Sequence, residues 1–278
     1  MKTVTYSQIV DAAFKLTAAC TRLAPSQERA LCRACETETN DSAAFALETL
    51  IQNAALAKRE GLPVCQDTGM ACFFCKLGRD VHIEGGLLYD ALNEGVRRGY
   101  RERGCRASVL DPITRVNTGD NTPAVVHVEL VEGEELEITF LPKGFGSENM
   151  SRLYMLTPAA GLNGVKESVL EAVRLAGANP CPPMIVGVGI GGTADRATLL
   201  AKQQLLREVG EHSDDPALAA LEEELLASIN ALGIGAQGYG GNHTALAVNI
   251  GKFPTHIAAL PVAVNIQCNA ARVERTVL

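Results

Sequence analysis

Two thiols in this sequence stand where plain packing has no use for them. In Gly61-Leu62-Pro63-Val64-Cys65-Gln66-Asp67-Thr68-Gly69, four polar or reactive side chains sit together between turn formers. A structural turn needs the proline and glycines but not Cys, Gln, Asp and Thr in succession. In Asn179-Pro180-Cys181-Pro182-Pro183, prolines on both sides of a cysteine fix the backbone and deny it regular hydrogen bonding, so the thiol is held rigidly in a loop. A third thiol closes Asn265-Ile266-Gln267-Cys268-Asn269, where an apolar strand breaks into amides. The first two contexts favour a metal ligand or reactive thiol and the third is a weak signal on its own, since a buried cysteine is ordinarily a small apolar residue.

The other cysteines carry weaker signals. The chain has nine in all and its start, Met1-Lys2-Thr3-Val4-Thr5-Tyr6-Ser7, lacks an apolar signal core, so reduced thiols in the cytoplasm are expected rather than a disulfide framework. Cys32 and Cys35 fall in a helical stretch without the second ligand pair of a zinc finger. Cys72 and Cys75 flank Phe73-Phe74 in a strand, where an odd separation turns them to opposite faces and both read as core. Cys20 reads as packing in an alanine-rich helix, and Cys105 has no local signal.

Glycine-rich loops surround these segments. Gly187-Val188-Gly189-Ile190-Gly191-Gly192 matches GxGxxG after an apolar strand, but the dinucleotide fingerprint also needs a second strand ending in an acidic residue about 20 positions on, and residues 194–232 read as helix after helix. Glycines there, in Lys143-Gly144-Phe145-Gly146-Ser147-Glu148-Asn149 and in Gly233 to Asn242, are expected to let backbone pass close to a ligand or cofactor.

The elements that must position these loops follow from patterning. The first 60 residues read as helical, with Asp41-Ser42 capping a stripe of Leu47, Leu50, Ile51, Ala54 and Ala55 that Gly61 ends. A second clear helix runs over 216–232, with Asp215 as cap, Pro216 in the first turn and Gly233 as stop. Helices are also expected near 87–102, 158–176 and 194–209, and strands at 124–130, 136–141, 184–188, 245–250 and 258–266. The pattern predicts an α+β fold, helices packed around β-sheet with no Rossmann domain, as one domain over 1–278. A net charge of −7 without a basic run excludes nucleic acid as an expected partner, and no stretch approaches the apolar length needed to span a bilayer.

Together, Cys65 to Gly69, Asn117-Thr118-Gly119-Asp120-Asn121, Lys143 to Asn149, Cys181 to Gly192, Gly235 to Gly241 and His256 to Cys268 resemble the alpha subunit of the class I, iron-sulfur fumarases and two-subunit L-tartrate dehydratases. The resemblance implies a 4Fe-4S cluster on Cys65, Cys181 and Cys268, whose separations fit no compact ferredoxin motif. Three ligands leave one iron open as a Lewis acid for dehydrating a hydroxy-dicarboxylic acid, malate or L-tartrate. It further implies that Gln66, Asp67, Arg106, Gly144, Gly146 and His256 line the substrate pocket, with Asp67 and His256 catalytic; Arg115 and Arg272 are lesser candidates. From the residues alone, Asp67 before Thr-Gly could equally cap a turn, Arg106 could be a surface arginine, and His256 a structural histidine.

Because the chain ends ten residues after Cys268, a separate beta subunit is expected to complete the site, in a heterotetramer in which the alpha chain also homodimerises. Phe145, Asn242-His243 and Asn269 depart from the family pattern and bear on substrate identity. The competing readings are a non-enzymatic metal-binding or scaffold protein and, weakened by the missing second strand with its acidic residue, a dinucleotide-dependent oxidoreductase.

Overall fold

The computed structural model describes all 278 residues, Met1–Leu278. In chain order the elements are β1 (Lys2–Thr5), α1 (Tyr6–Leu16), α2 (Pro25–Thr37), α3 (Asp41–Glu60), β2 (Met70–Gly78), β3 (Val81–Glu84), α4 (Leu88–Glu102), β4 (Val125–Val131) and β5 (Leu136–Lys143). They continue with α5 (Phe145–Glu148), β6 (Arg152–Leu156), α6 (Gly161–Ala176), β7 (Met184–Gly191), α7 (Ala194–Gln204), α8 (Pro216–Asn230), β8 (Ala245–Phe253), β9 (Leu260–Gln267) and β10 (Glu274–Val277). The fold is α+β, with two mixed four-stranded sheets and a two-stranded parallel one. No helix is long and apolar enough to cross a membrane. The chain divides into two compact units.

The first unit comprises Met1–Ala24, Asn53–Phe145 and Arg272–Leu278. Its sheet runs β10-β5-β2-β4, with β2 antiparallel to β5 and parallel to β4. Helix α1 begins at a capping box in which Thr5 Oγ1 accepts from Gln8 N and Gln8 Oε1 accepts from Thr5 N. It turns Ile9, Ala13 and Leu16 onto the stripe Leu88, Ala91, Leu92, Val96 and Tyr100 of α4. On the sheet, Phe73 and Phe140 are direct cross-strand partners with ring centroids 5.1 Å apart, and the ring of Tyr100 meets Phe140 edge-on at 6.4 Å. The antiparallel register sets Met70 opposite Lys143. The loop entering β2 and the loop leaving β5 therefore lie side by side.

The second unit comprises Pro25–Gln52 and Gly146–Ala271, with a sheet of order β6-β9-β7-β8. Alternate residues Val186 and Val188, Val248 and Ile250, and Val262, Val264 and Ile266 face helices α6 and α8. The opposite face carries α7. There Gly187 and Gly189 admit the helix so closely that a Cβ at either would fall 2.2 Å from a backbone oxygen, of Ala201 or Ala197 respectively. A helix, rather than a cofactor, is what passes close to these two glycines.

Several polar groups under the helices are tied. Asn249 Nδ2 donates to Gln204 O at 2.9 Å, and Asn265 Nδ2 to Glu148 Oε2 at 3.1 Å, while Lys202 reaches Glu148 at 2.5 Å. Glu222, 2% exposed, accepts from Ile250 N, Ser213 N and Arg207. That arrangement staples α8 to β8 through one buried carboxylate.

Most expected elements stand within a few residues of their sequence bounds. The first 60 residues are helical after strand β1, α7 stops at Gln204, and residues 258–259 belong to a turn before β9. Strands β1, β3, β6 and β10, of four or five residues, went unforeseen. Cys20 lies in a 3-10 turn, Thr17–Thr21, and is fully buried. Cys72 and Cys75 are both buried in β2, as their spacing suggests, and burial pushes the Cys75 thiol up to about 12.

Candidate active site

In the first unit, the Cys65 loop is held from both ends. Gly61 takes φ +67°, which suits glycine, and lets Leu62 N reach back to Ala57 O at 3.0 Å to close α3. Asn53 Nδ2 then donates to Val64 O at 2.8 Å and Val64 N to Cys20 O at 3.0 Å. Cys65 and Gln66 are left exposed. At the far end, Tyr100 Oη donates to Gly69 O at 3.0 Å, and the buried guanidinium of Arg272 donates to Asp67 O at 3.2 Å and Pro142 O at 3.5 Å.

Asp67 is the hinge of this arrangement. Its Oδ1 accepts from Gly69 N at 3.1 Å, forming an Asx turn, and its Oδ2 accepts from Phe145 N at 2.6 Å. A Cβ on Gly144 would approach Asp67 Oδ2 to 3.2 Å. The carboxylate thus joins the two adjacent loops, and the turn-cap reading is realised in the backbone whatever further task Asp67 performs.

Arg106 and Arg115 are exposed on the irregular segment between α4 and β4. The Asn117 to Asn121 motif braces that segment: Asn117 Nδ2 donates to Ala107 O at 3.0 Å, and Asn121 Oδ1 accepts from Ser108 N at 2.8 Å. Burial would raise the Asp120 carboxyl, but the Thr122 hydroxyl, the Arg97 guanidinium at 2.8 Å and Thr122 N hold it down to about 2.

In the second unit, Ile185 on β7 pairs with Gln267 on β9, so Cys181, just before β7, and Cys268, just after β9, lie at one end of the sheet. Asn269 links them directly: its backbone N–H and its Nδ2 donate to Cys181 O at 3.2 and 2.8 Å. Cys181 is exposed and Cys268 half-buried. Gly146, exposed in α5, belongs to this unit. So does His256, exposed in the turn between β8 and β9, whose Nδ1 accepts from Ala258 N at 3.2 Å. With Nδ1 as acceptor, Nε2 is the ring nitrogen left free to donate.

None of the nine cysteines is in a disulfide, and neither unit by itself assembles three His, Cys, Asp or Glu side chains into a metal site. Beside two of the candidate ligand thiols, however, buried polar atoms lack a partner within the chain: Thr68 Oγ1 in the Cys65 loop, and both amide atoms of Gln267, the residue before Cys268. Uncompensated polar atoms at such depth are costly and call for a partner, which an ordered water or a bound group supplies. With thiols as the only soft donors, the residues fit an iron-sulfur cluster. Sequence reasoning missed Tyr100, Gln27, Gln237 and Asn269 as supports; only the position of Asn269 next to Cys268 carried a signal.

A family model described as fumarate hydratase (fumerase) matches residues 9–277, and the chain belongs to this family of hydro-lyases. Among similar proteins is one of Methanocaldococcus jannaschii, provisionally named L(+)-tartrate dehydratase subunit alpha. It is 44% identical over 252 residues, covering 88% of each chain. The L(+)-tartrate dehydratase subunit alpha of Escherichia coli K12 is 32% identical over 241 residues, 85% of this chain and 79% of the relative.

Proposed function

We propose that the chain is the alpha subunit of a 4Fe-4S hydro-lyase that reversibly dehydrates a hydroxy-dicarboxylic acid, with L(+)-tartrate, which gives oxaloacetate, ahead of malate, which gives fumarate. The names of the relatives favour tartrate and imply a beta subunit that completes the site. The observation that carries the reading is the joining of Cys181 and Cys268 through Asn269 at one sheet end, with orphaned amide atoms beside Cys268.

Cys65, Cys181 and Cys268 would hold the cluster. When bound, it supplies an iron with an open position that polarises the substrate hydroxyl as a Lewis acid. Arg106 offers a planar fork for a substrate carboxylate, and Gln66 an amide for orientation. Gly144 and Gly146 keep side chains away from the substrate. A base from the beta subunit takes the carbon-bound proton. Asp67 sets the loop and relays that proton to the departing hydroxyl, which leaves as water, and His256 donates a hydrogen bond from Nε2 to the same hydroxyl. The two compact units act as one alpha subunit, in a cytoplasmic assembly of two alpha and two beta chains joined through the alpha chains.

The test is anaerobic co-expression with the beta chain, followed by dehydration assays on L(+)-tartrate and malate. A broad visible band that bleaches in air is expected. Cys65→Ser, Cys181→Ser and Cys268→Ser should each abolish it, while Cys32→Ser and Cys75→Ser leave it intact. A colourless complex with stoichiometric zinc, or the opposite substitution pattern, overturns the reading.

A further inference from the structure

Cys181 occupies a conformation that cysteine rarely adopts, φ +54°. Its neighbourhood holds it there at every backbone group able to bond. Cys181 N donates to Ala178 O at 3.0 Å, and Cys181 O receives both donors of Asn269. The next carbonyl, Pro182 O, receives Gln237 N at 2.8 Å and Gln237 Nε2 at 2.7 Å. Prolines 180, 182 and 183 offer no backbone donors of their own, so apart from Cys181 N the segment is fixed by donors from outside it.

Asn269 is itself buried and fixed, since its carbonyl accepts from Nε2 of the buried Gln27 at 2.7 Å. The residue covalently next to Cys268 therefore grips the carbonyl of Cys181. We infer that Asn269 is a positioning residue that sets the spacing of the Cys181 and Cys268 thiols before any cofactor is loaded. This rests on the proposal that both thiols are cluster ligands, but it makes a claim about the apo chain that can be tested separately.

The full-length chain, reduced and free of metal, is treated with dibromobimane, which becomes strongly fluorescent once both arms have alkylated thiols; peptide mass spectrometry identifies the bridged pair. The wild-type chain should form the Cys181–Cys268 bridge as its main product in this unit, and Cys181→Ser should abolish it. Asn269→Asp keeps the shape but replaces the Nδ2 donor with a carboxylate oxygen facing a carbonyl. It should slow bridging at least tenfold while single alkylation of each thiol proceeds at the wild-type rate or faster. Asn269→Ala should do the same if it folds, and the isosteric variant decides if it does not. Bridging at the wild-type rate in Asn269→Asp, or no bridge in the wild type, overturns the inference. Bridging as expected in a chain that takes up no cluster would instead refute the cofactor proposal and leave this one standing.

Discussion

Asp67→Ala separates the two tasks open to this carboxylate. The structure gives it two backbone donors, Gly69 N at 3.1 Å and Phe145 N at 2.6 Å. A hydrogen bond to a charged acceptor contributes roughly 1.5–3 kcal/mol net. Phe145 N is the bond that joins two loops, so removing its acceptor should accelerate local opening there by about 10- to 100-fold, the same energy expressed as a ratio at about 1.4 kcal/mol per tenfold. The assay is native-state amide exchange of the apo chain, read at Gly69 and Phe145 and compared with amides in the middle of β2. Because Asn also presents one oxygen, Asp67→Asn should protect one of the two amides and expose the other. Faster exchange in the apo chain establishes the structural task without reference to catalysis. Unchanged exchange at both amides in Asp67→Ala would refute the argument that this side chain holds the loops, and would leave proton transfer as its role.

Two further outcomes follow from the packing and the electrostatics. Gly189→Ala places a methyl 2.2 Å from Ala197 O, and because the obstacle is backbone the substitution should destabilise the second unit by about 2–3 kcal/mol, seen as a lower urea midpoint; an unchanged midpoint would mean that α7 does not press on β7. The Asp120 carboxyl is lowered from 3.8 to about 2 in the folded chain, so its contribution is complete above the unfolded value and is lost as pH falls through the folded one. That shift corresponds to about 2 kcal/mol as a ceiling, nearer 1 for a group whose side chain is 25% exposed. The stability gap between wild type and Asp120→Asn should therefore hold at pH 6, shrink below about pH 4 and close near pH 2, as followed by urea unfolding; a gap that widened on acidification would contradict the assignment.

What the sequence marked by itself was a set of candidate thiols and most of the elements. Cys65 and Cys181 stood out because local context gave them no packing reason, while Cys268, weak alone, joined them through the family resemblance. Amphipathic stripes marked α3 and α8 because a 3.6-residue period is legible in the order of residues. Asp215 and Pro216 announced the start of α8 and delivered it. Short strands such as β6 and β10 were invisible, since four or five residues at a sheet edge carry too little alternation and exist only through their partners β9 and β5. The glycines of residues 187–191 looked like a cofactor loop and proved, at Gly187 and Gly189, to be the bed of α7, because close backbone approach leaves the same glycine signature whatever the approaching group is.

Tertiary structure alone decided which side chains support which. Arg272 clasps Asp67 O across 205 positions, and Asn269 reaches Cys181 across 88. Such contacts depend on strand register. The antiparallel pairing of β2 with β5 brings the Cys65 loop beside Gly144, and that of β7 with β9 brings Cys181 beside Cys268. Register is fixed by the sum of many weak cross-strand and helix-on-sheet contacts. No residue in the cysteine loops encodes it.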